Sequence, residues 1–354
     1  METLKKFNIS LLILPVLIFS IGFITLLSAV PDKANTQLIF FVVSFLFYLG
    51  VSVTNYRLFQ AYTKQLLLFS LVLLLVTYVL GVTVFGSERW LAIGAFSFQP
   101  SEIAKLALIL FIPGYICARP SVFNNIAELG KMLLFVIPLF VLVFLQPDLG
   151  TALILVGITL GVLFYAGLNK LYFVATLVVV GLLSSPLWQV LKDYQKVRIL
   201  VFLNPTLDVL GSGYNVIQSL IAVGSGGFLG KGFGHGSQAH LNYLPVFWTD
   251  FIFASFSEEW GFIGVAVFLV VYILLLGTLL YIAYKIKDSF GTFIVIGVFF
   301  LFFIQFIINV GMNLGLLPVT GITLPLVSYG GSSLVVSLIL LGFVQSVWVH
   351  KNLN

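Results

Sequence analysis

Few side chains in this sequence can ionise, and several of them stand where they could do chemistry. Asp250 ends the run Leu244-Pro245-Val246-Phe247-Trp248-Thr249-Asp250 and opens a long apolar stretch. A carboxylate at such a boundary has water on one side and low dielectric on the other. Its pKa is then expected to rise, which suits it to take a proton from a weak nucleophile. The same position equally suits a helix cap. Glu258 lies two helical turns further on, so it could share a face with Asp250, and Glu259-Trp260-Gly261 could instead hydrogen-bond within a helix bundle. Glu102 and Lys105 are three apart, the spacing of a pair on one helix face. They could form a self-neutralising structural pair, a polar cavity lining, or both. Asp148 in Gln146-Pro147-Asp148-Leu149-Gly150-Thr151 is placed to cap a helix. Asn309 and Asn313, four apart, suit interhelical hydrogen bonds.

Other chemistries lack their residues. Cys117 is the lone cysteine, so neither a disulfide framework nor a Cys-rich metal site can form. His235, His240 and His350 make no metal-ligand pattern. The run Gly226 to Gly232 looks like a phosphate loop, but Ser225 stands where that motif needs glycine, and no Ser or Thr follows Lys231. No repeat or heptad period is evident.

The elements that must position these residues are membrane helices. Hydrophobic residues make up 60% of the chain and charged residues 8%, against about 25% in a soluble domain. Too few polar side chains exist to coat a water-soluble surface. A spanning helix needs about 20 mostly apolar residues. Ten candidates occur, at about 9–30, 37–53, 65–85, 102–118, 132–146, 149–168, 171–190, 251–284, 290–316 and 325–349. Pro147-Asp148 reads as a tight turn between the fifth and sixth. The first run is longer than a signal-peptide core of about 7–15 residues, and reads as a retained span. The sequence thus predicts an all-α integral membrane protein, a single polytopic domain over 1–354, with a large extracytoplasmic loop at 191–250 between helices 7 and 8.

Lys and Arg distribution sets the orientation. Of 17 basic residues, ten fall on one set of inter-span segments, which is then cytoplasmic. Both termini are expected there, and the net charge of +5 reads as topology, not as a nucleic-acid site. Two large segments face the other side, at about 86–101 and 191–250. They bring Arg89, Arg198 and Lys231 to one face, where they could meet a pyrophosphate or anionic lipid headgroups. The second carries nine glycines between Gly211 and Gly236, interleaved with Val216, Ile217, Leu220, Ile221, Phe228 and Leu229. A solvated linker would not carry those apolar residues, so the segment is expected to fold back on the membrane or the bundle.

The motifs resemble a known family. Arg89-Trp90-Leu91 with Gln99-Pro100-Ser101-Glu102-Ile103-Ala104-Lys105, Gln146 to Thr151, Gly213 to Gly227, Thr249-Asp250-Phe251-Ile252-Phe253 with Glu258-Glu259, Asn309-Val310-Gly311-Met312, Leu317 to Gly321 and Ser328 to Ser333 are similar, in order, to the SEDS (shape, elongation, division, sporulation) glycosyltransferases. The short N-terminal tail and Gly230-Lys231-Gly232 look more like the elongation branch than the division branch. The resemblance implies ten spans and polymerisation of lipid II at the outer face of the bacterial cytoplasmic membrane, with a class B penicillin-binding transpeptidase as partner. It implies Asp250 as the catalytic aspartate, Glu102 and Lys105 as cavity residues, and Arg89 and Arg198 as contacts to the donor pyrophosphate. Lys231 and Glu258 join them as candidate substrate contacts. The family usually has an acid at Val246 and often histidine at Trp248, which puts any auxiliary role there in doubt.

The implied chemistry is an inverting displacement. Asp250 would accept the acceptor hydroxyl's proton, and basic residues or a divalent cation (Mg or Mn) would stabilise the departing undecaprenyl pyrophosphate. A flippase for the same lipid and a non-catalytic transpeptidase scaffold are the alternatives. A flippase needs polar residues through the membrane depth, whereas a polymerase needs a base at the outer edge, where Asp250 lies.

Overall fold

The computed structural model describes residues 6–351, apart from 85–86, 94–95, 124, 175–177, 179–180, 182–187, 190 and 209–210. Its long helices are α1 (Ser10–Ala29), α2 (Pro31–Val53), α3 (Thr63–Leu80), α4 (Pro100–Ala118), α5 (Ile126–Leu145) and α6 (Leu149–Tyr165). Then come α7 (Asp193–Leu203), α8 (Ser212–Ser225), the short α9 (Ser237–His240), α10 (Ile252–Lys285), α11 (Ser289–Asn313) and α12 (Gly331–Val349). Eight helices among the described residues are long and apolar enough to cross a membrane, and α6 is a shorter apolar helix. The expected span at 171–190 lies largely outside the described residues.

Local chemistry sets the boundaries. Pro31 stands at the first position of α2 and Pro100 at that of α4, where a missing N–H costs nothing and φ is already helical. Asp148 caps α6 by accepting from Thr151 N at 3.1 Å, and Asp288 caps α11 by accepting from Gly291 N at 2.8 Å. The turn expected at Pro147-Asp148 therefore separates two helices, although α5 starts earlier than its hydropathy suggested. An element not foreseen is a small antiparallel sheet in the first large loop, β1 (Val82–Val84), β2 (Ser87–Ile93) and β3 (Phe96–Phe98) in that order.

The bundle has a centre and a rim. In α4 and α12 about three quarters of the most apolar window is buried inside the protein (78% and 72%), against 22% in α2. The outward face of α2 is Leu38, Ile39, Val42, Leu46 and Phe47, all exposed, as expected of a surface solvated by lipid. The more central helices carry many of the buried polar residues, among them Glu102 and Lys105 on α4, Gln305, Asn309 and Asn313 on α11, and Gln345 on α12.

Helix α10 is broken. Gly261 has φ 61, ψ −164, far from helical, so a short half-helix up to Trp260 precedes the long span. A break leaves backbone groups without helical partners, which is costly where water is scarce. The glycine-rich strap at 226–232 supplies the partners. Lys231 N donates to Glu258 O at 3.0 Å and Gly232 N to Glu259 O at 2.9 Å. In return Phe262 N and Ile263 N donate to the carbonyls of Gly227 and Phe228 at 2.9 and 3.2 Å. A Cβ at Gly226 or Gly230 would collide with the half-helix backbone, so this contact requires glycine. The segment 191–250 thus packs against the bundle as expected, but mostly as helix.

Candidate active site around Asp250

Asp250 lies in the turn just before α10, not on it. Val246 starts the turn with φ 52, a strained value for a β-branched residue. Its carbonyl accepts from Thr249 N at 3.1 Å and Asp250 N at 3.3 Å. The segment 324–330 braces the same turn: Ser328 Oγ donates to Thr249 O at 2.6 Å, and Tyr329 N donates to Trp248 O at 2.9 Å.

The asparagine pair of α11 grips it from below. Asn309 Nδ2 and Asn313 Nδ2 donate to the Asp250 carbonyl at 3.1 and 2.9 Å. Asn309 Nδ2 also donates to Ile322 O at 2.7 Å, and Asn313 Oδ1 accepts from Ala254 N at 3.1 Å, satisfying an amide in the first turn of α10. The four-residue spacing had suggested simple helix-to-helix bonds; here it fixes the backbone of one aspartate. Asn313→Ala is expected to leave buried backbone groups unpaired, at about 1–3 kcal/mol. The check is a lower midpoint in a detergent thermal-shift measurement, with Asn313→Asp recovering only part.

Asp250 is half-buried. Burial pushes its pKa above the ordinary carboxylate range, opposed by a Thr249 hydrogen bond and the positive charges of Arg198 and Arg89. The same burial pushes the Arg198 guanidinium down, with Asp250 countering it. Arg198 on α7 stacks over the Tyr194 ring, 5.6 Å from its centroid. Arg198 lines a narrow cleft of about 50 Å³ with Val201, Phe202, Asn215, Val216 and Val319. Gly321, at φ 71, borders the carboxyl: a Cβ there would stand 3.5 Å from Oδ2.

Arg89, at the edge of this site, is held by Asp148. Its Nη1 lies 3.1 Å from Asp148 Oδ2, which also accepts from Gln99 Nε2 at 3.3 Å. Asp148 is therefore both a helix cap and the counter-ion of Arg89, and only the first role was readable from spacing. Arg89 Nε is buried without a hydrogen-bond partner.

Glu102 and Lys105 are buried and paired at 2.7 Å, as their spacing anticipates. Lys231 and Glu258 are placed together, away from the face their spacing suggested. Glu258 does not share a face with Asp250, because Asp250 precedes the helix. Instead Glu258 is fully buried under the strap, where its Oε1 accepts from Lys231 Nζ at 2.5 Å and Ser237 Oγ at 2.9 Å. Its Oε2 accepts from Gln238 N at 3.1 Å. This pair clamps the strap to the half-helix. Among the described residues no group of three or more His, Cys, Asp and Glu could hold a metal ion.

The comparisons agree with this architecture. The family model described as cell cycle protein, covering FtsW, RodA and SpoVE, matches residues 4–353. The chain is 39% identical over 301 residues to the peptidoglycan glycosyltransferase MrdB of Escherichia coli (strain K12), covering 84% of this chain and 80% of the relative. A chain from a solved peptidoglycan synthase complex, described as coordinating polymerization and crosslinking, superposes with a TM-score of 0.85 at 34% identity, covering 98% and 99% of the two chains. The rod shape determining protein RodA of Thermus thermophilus superposes with a TM-score of 0.75 at 29% identity, covering 98% of each chain. Helix order, the braced aspartate turn and these matches lead to one conclusion: the chain belongs to the FtsW/RodA/SpoVE family of cell cycle proteins, the SEDS family.

Proposed function

We propose that this chain is a peptidoglycan glycosyltransferase that joins lipid II units at the outer face of the bacterial cytoplasmic membrane, with both termini in the cytoplasm. The observation that carries the reading is the Asp250 carboxyl, held by its braced turn, pushed above the usual carboxylate range by burial and within the field of Arg198, which lines a narrow cleft. Asp250 accepts the proton of the attacking sugar hydroxyl. The positive charges of Arg198 and Arg89 draw the negative charge that grows on the diphosphate leaving group. A single displacement inverts the anomeric carbon. Glu102 and Lys105, neutralised by each other, line the bundle interior without adding net charge.

The proposed partner is a class B penicillin-binding transpeptidase, in line with the crosslinking named for the structural relative. Membrane lipid is the proposed surrounding of the rim helices. A divalent cation would arrive on the diphosphate, since small hard cations are commonly held by one or two carboxylates plus substrate phosphates. Removing it with EDTA is expected to slow polymerisation by at least roughly tenfold, a loss of about 1.4 kcal/mol of charge stabilisation. The thermal midpoint of the substrate-free chain should stay unchanged; a drop there would mean a resident ion.

The test is polymerisation of purified lipid II by the detergent-solubilised chain with its transpeptidase partner. Glycan strands longer than the substrate support the reading. Lipid II movement across a bilayer without glycan would favour transport and sink it.

A further inference from the structure

A cation sits in an aromatic seat beside the Asp250 turn, outside the chemistry assigned so far. Lys33 lies in the first turn of α2, half-buried. Its Nζ is 4.7 Å from the ring centroid of Trp248 and 5.2 Å from that of Tyr329, within cation–π range of both. Among the described residues it has no ion-pair partner. An ammonium over two ring faces turns N–H bonds toward them and keeps a donor pointing away. The result is a positioned cation with no ion pair and with donor capacity left for an anion.

The seat is braced to the reactive segment. Gln37, one turn along α2 from Lys33, is buried; its Nε2 donates to Ser328 O at 3.0 Å and its Oε1 accepts from Gly330 N at 3.2 Å. These two bonds hold the residues either side of Tyr329. Tyr329 N and Ser328 Oγ in turn hold the carbonyls of Trp248 and Thr249. Trp248 Nε1 is buried with no hydrogen-bond partner, a second unspent donor on the same ring. Lys64, Lys285 and Lys351 also lie over aromatic rings, but Lys33 is the one whose rings belong to the Asp250 turn and to the segment that braces it.

Polymerising a lipid-linked sugar brings together two reactants, each carrying a diphosphate. Arg198 and Arg89 act on the Asp250 carboxyl and can meet one diphosphate. We propose that Lys33, seated on Trp248 and Tyr329, is a positioning residue that binds the phosphate of the second lipid-linked reactant. The proposal rests on the glycosyltransferase reading above. Its chemistry, an ammonium on a phosphate, would also suit an anionic phospholipid headgroup, and the experiment separates the two.

The probe is undecaprenyl diphosphate, titrated into the full chain in nanodiscs of phosphatidylcholine, with bound probe counted by native mass spectrometry. Binding is read without turnover, so a failure of the polymerase reading shows separately, in the lipid II assay. Lys33→Gln should weaken binding about tenfold, or about 1.4 kcal/mol, and Lys33→Arg should retain most of it. Trp248→Leu should lose a similar factor and Trp248→Phe, which keeps a ring face, much less. The Lys33→Gln/Trp248→Leu double variant should be no weaker than either alone, because the pair acts as one unit. Thermal midpoints of the Lys33 variants should match wild type. Undecaprenyl diphosphate binding equal to wild type in Lys33→Gln would overturn the proposal. So would a loss confined to phosphatidylglycerol added to the nanodiscs, which would make Lys33 a headgroup anchor.

Discussion

Replacing Asp250 by asparagine should cut lipid II polymerisation by at least about 100-fold while leaving the protein as stable as wild type, or more so. The loss follows from removing the only carboxylate placed at the turn, since a positioned base contributes roughly 10²–10⁴-fold. The stability follows from the direction of the pKa shift. Burial raises the folded-state pKa of Asp250 above its unfolded value. The folded protein therefore holds that proton more tightly, and stability falls as pH rises through the window between the two values. Asparagine carries no charge and escapes this cost at neutral pH. Wild-type activity should rise with pH across an acidic limb displaced upward from an ordinary aspartate, because the base works only when deprotonated. Any residual activity of Asp250→Asn should lack that limb. Full activity in a folded Asp250→Asn protein would remove Asp250 from the chemistry.

The second large effect is structural. Lys231→Met keeps the length of the side chain but strips the positive charge from Glu258, which is fully buried. An uncompensated buried carboxylate should cost about 3 kcal/mol, softened by its bonds from Ser237 and Gln238. The apparent thermal midpoint in detergent should drop, and the Lys231→Met/Glu258→Gln double variant should regain most of it. A substrate contact would behave otherwise: Lys231→Met would raise KM and leave the midpoint alone. Recovery in the double variant is thus the measurement that separates the clamp from a binding role.

Much of this fold was readable because membranes impose simple rules. Among the described residues most apolar runs of sufficient length became helices, the i, i+3 spacing of Glu102 and Lys105 became a pair, and the acid after Pro147 became a cap. What escaped reading depends on contacts between distant residues. Nothing local marks that Lys231 meets Glu258, or that Asn309 and Asn313 reach the Asp250 carbonyl. The Gly261 break was hidden inside an unbroken apolar run, where one glycine looks like any other until its φ is known. The sheet at 82–98 was missed because its strands are short and lie between spans. The site itself was half legible: the motif pointed to Asp250, but its brace of backbone bonds was not visible.

The exchange of hydrogen bonds between the 226–232 strap and the Gly261 break also bears on how the protein is made. The strap leaves the ribosome first, yet its backbone partners in 258–263 are still to be synthesised. The strap therefore cannot reach its final backbone pairing until the half-helix and the start of the long span exist, so this part of the fold closes late, after α10 has been made.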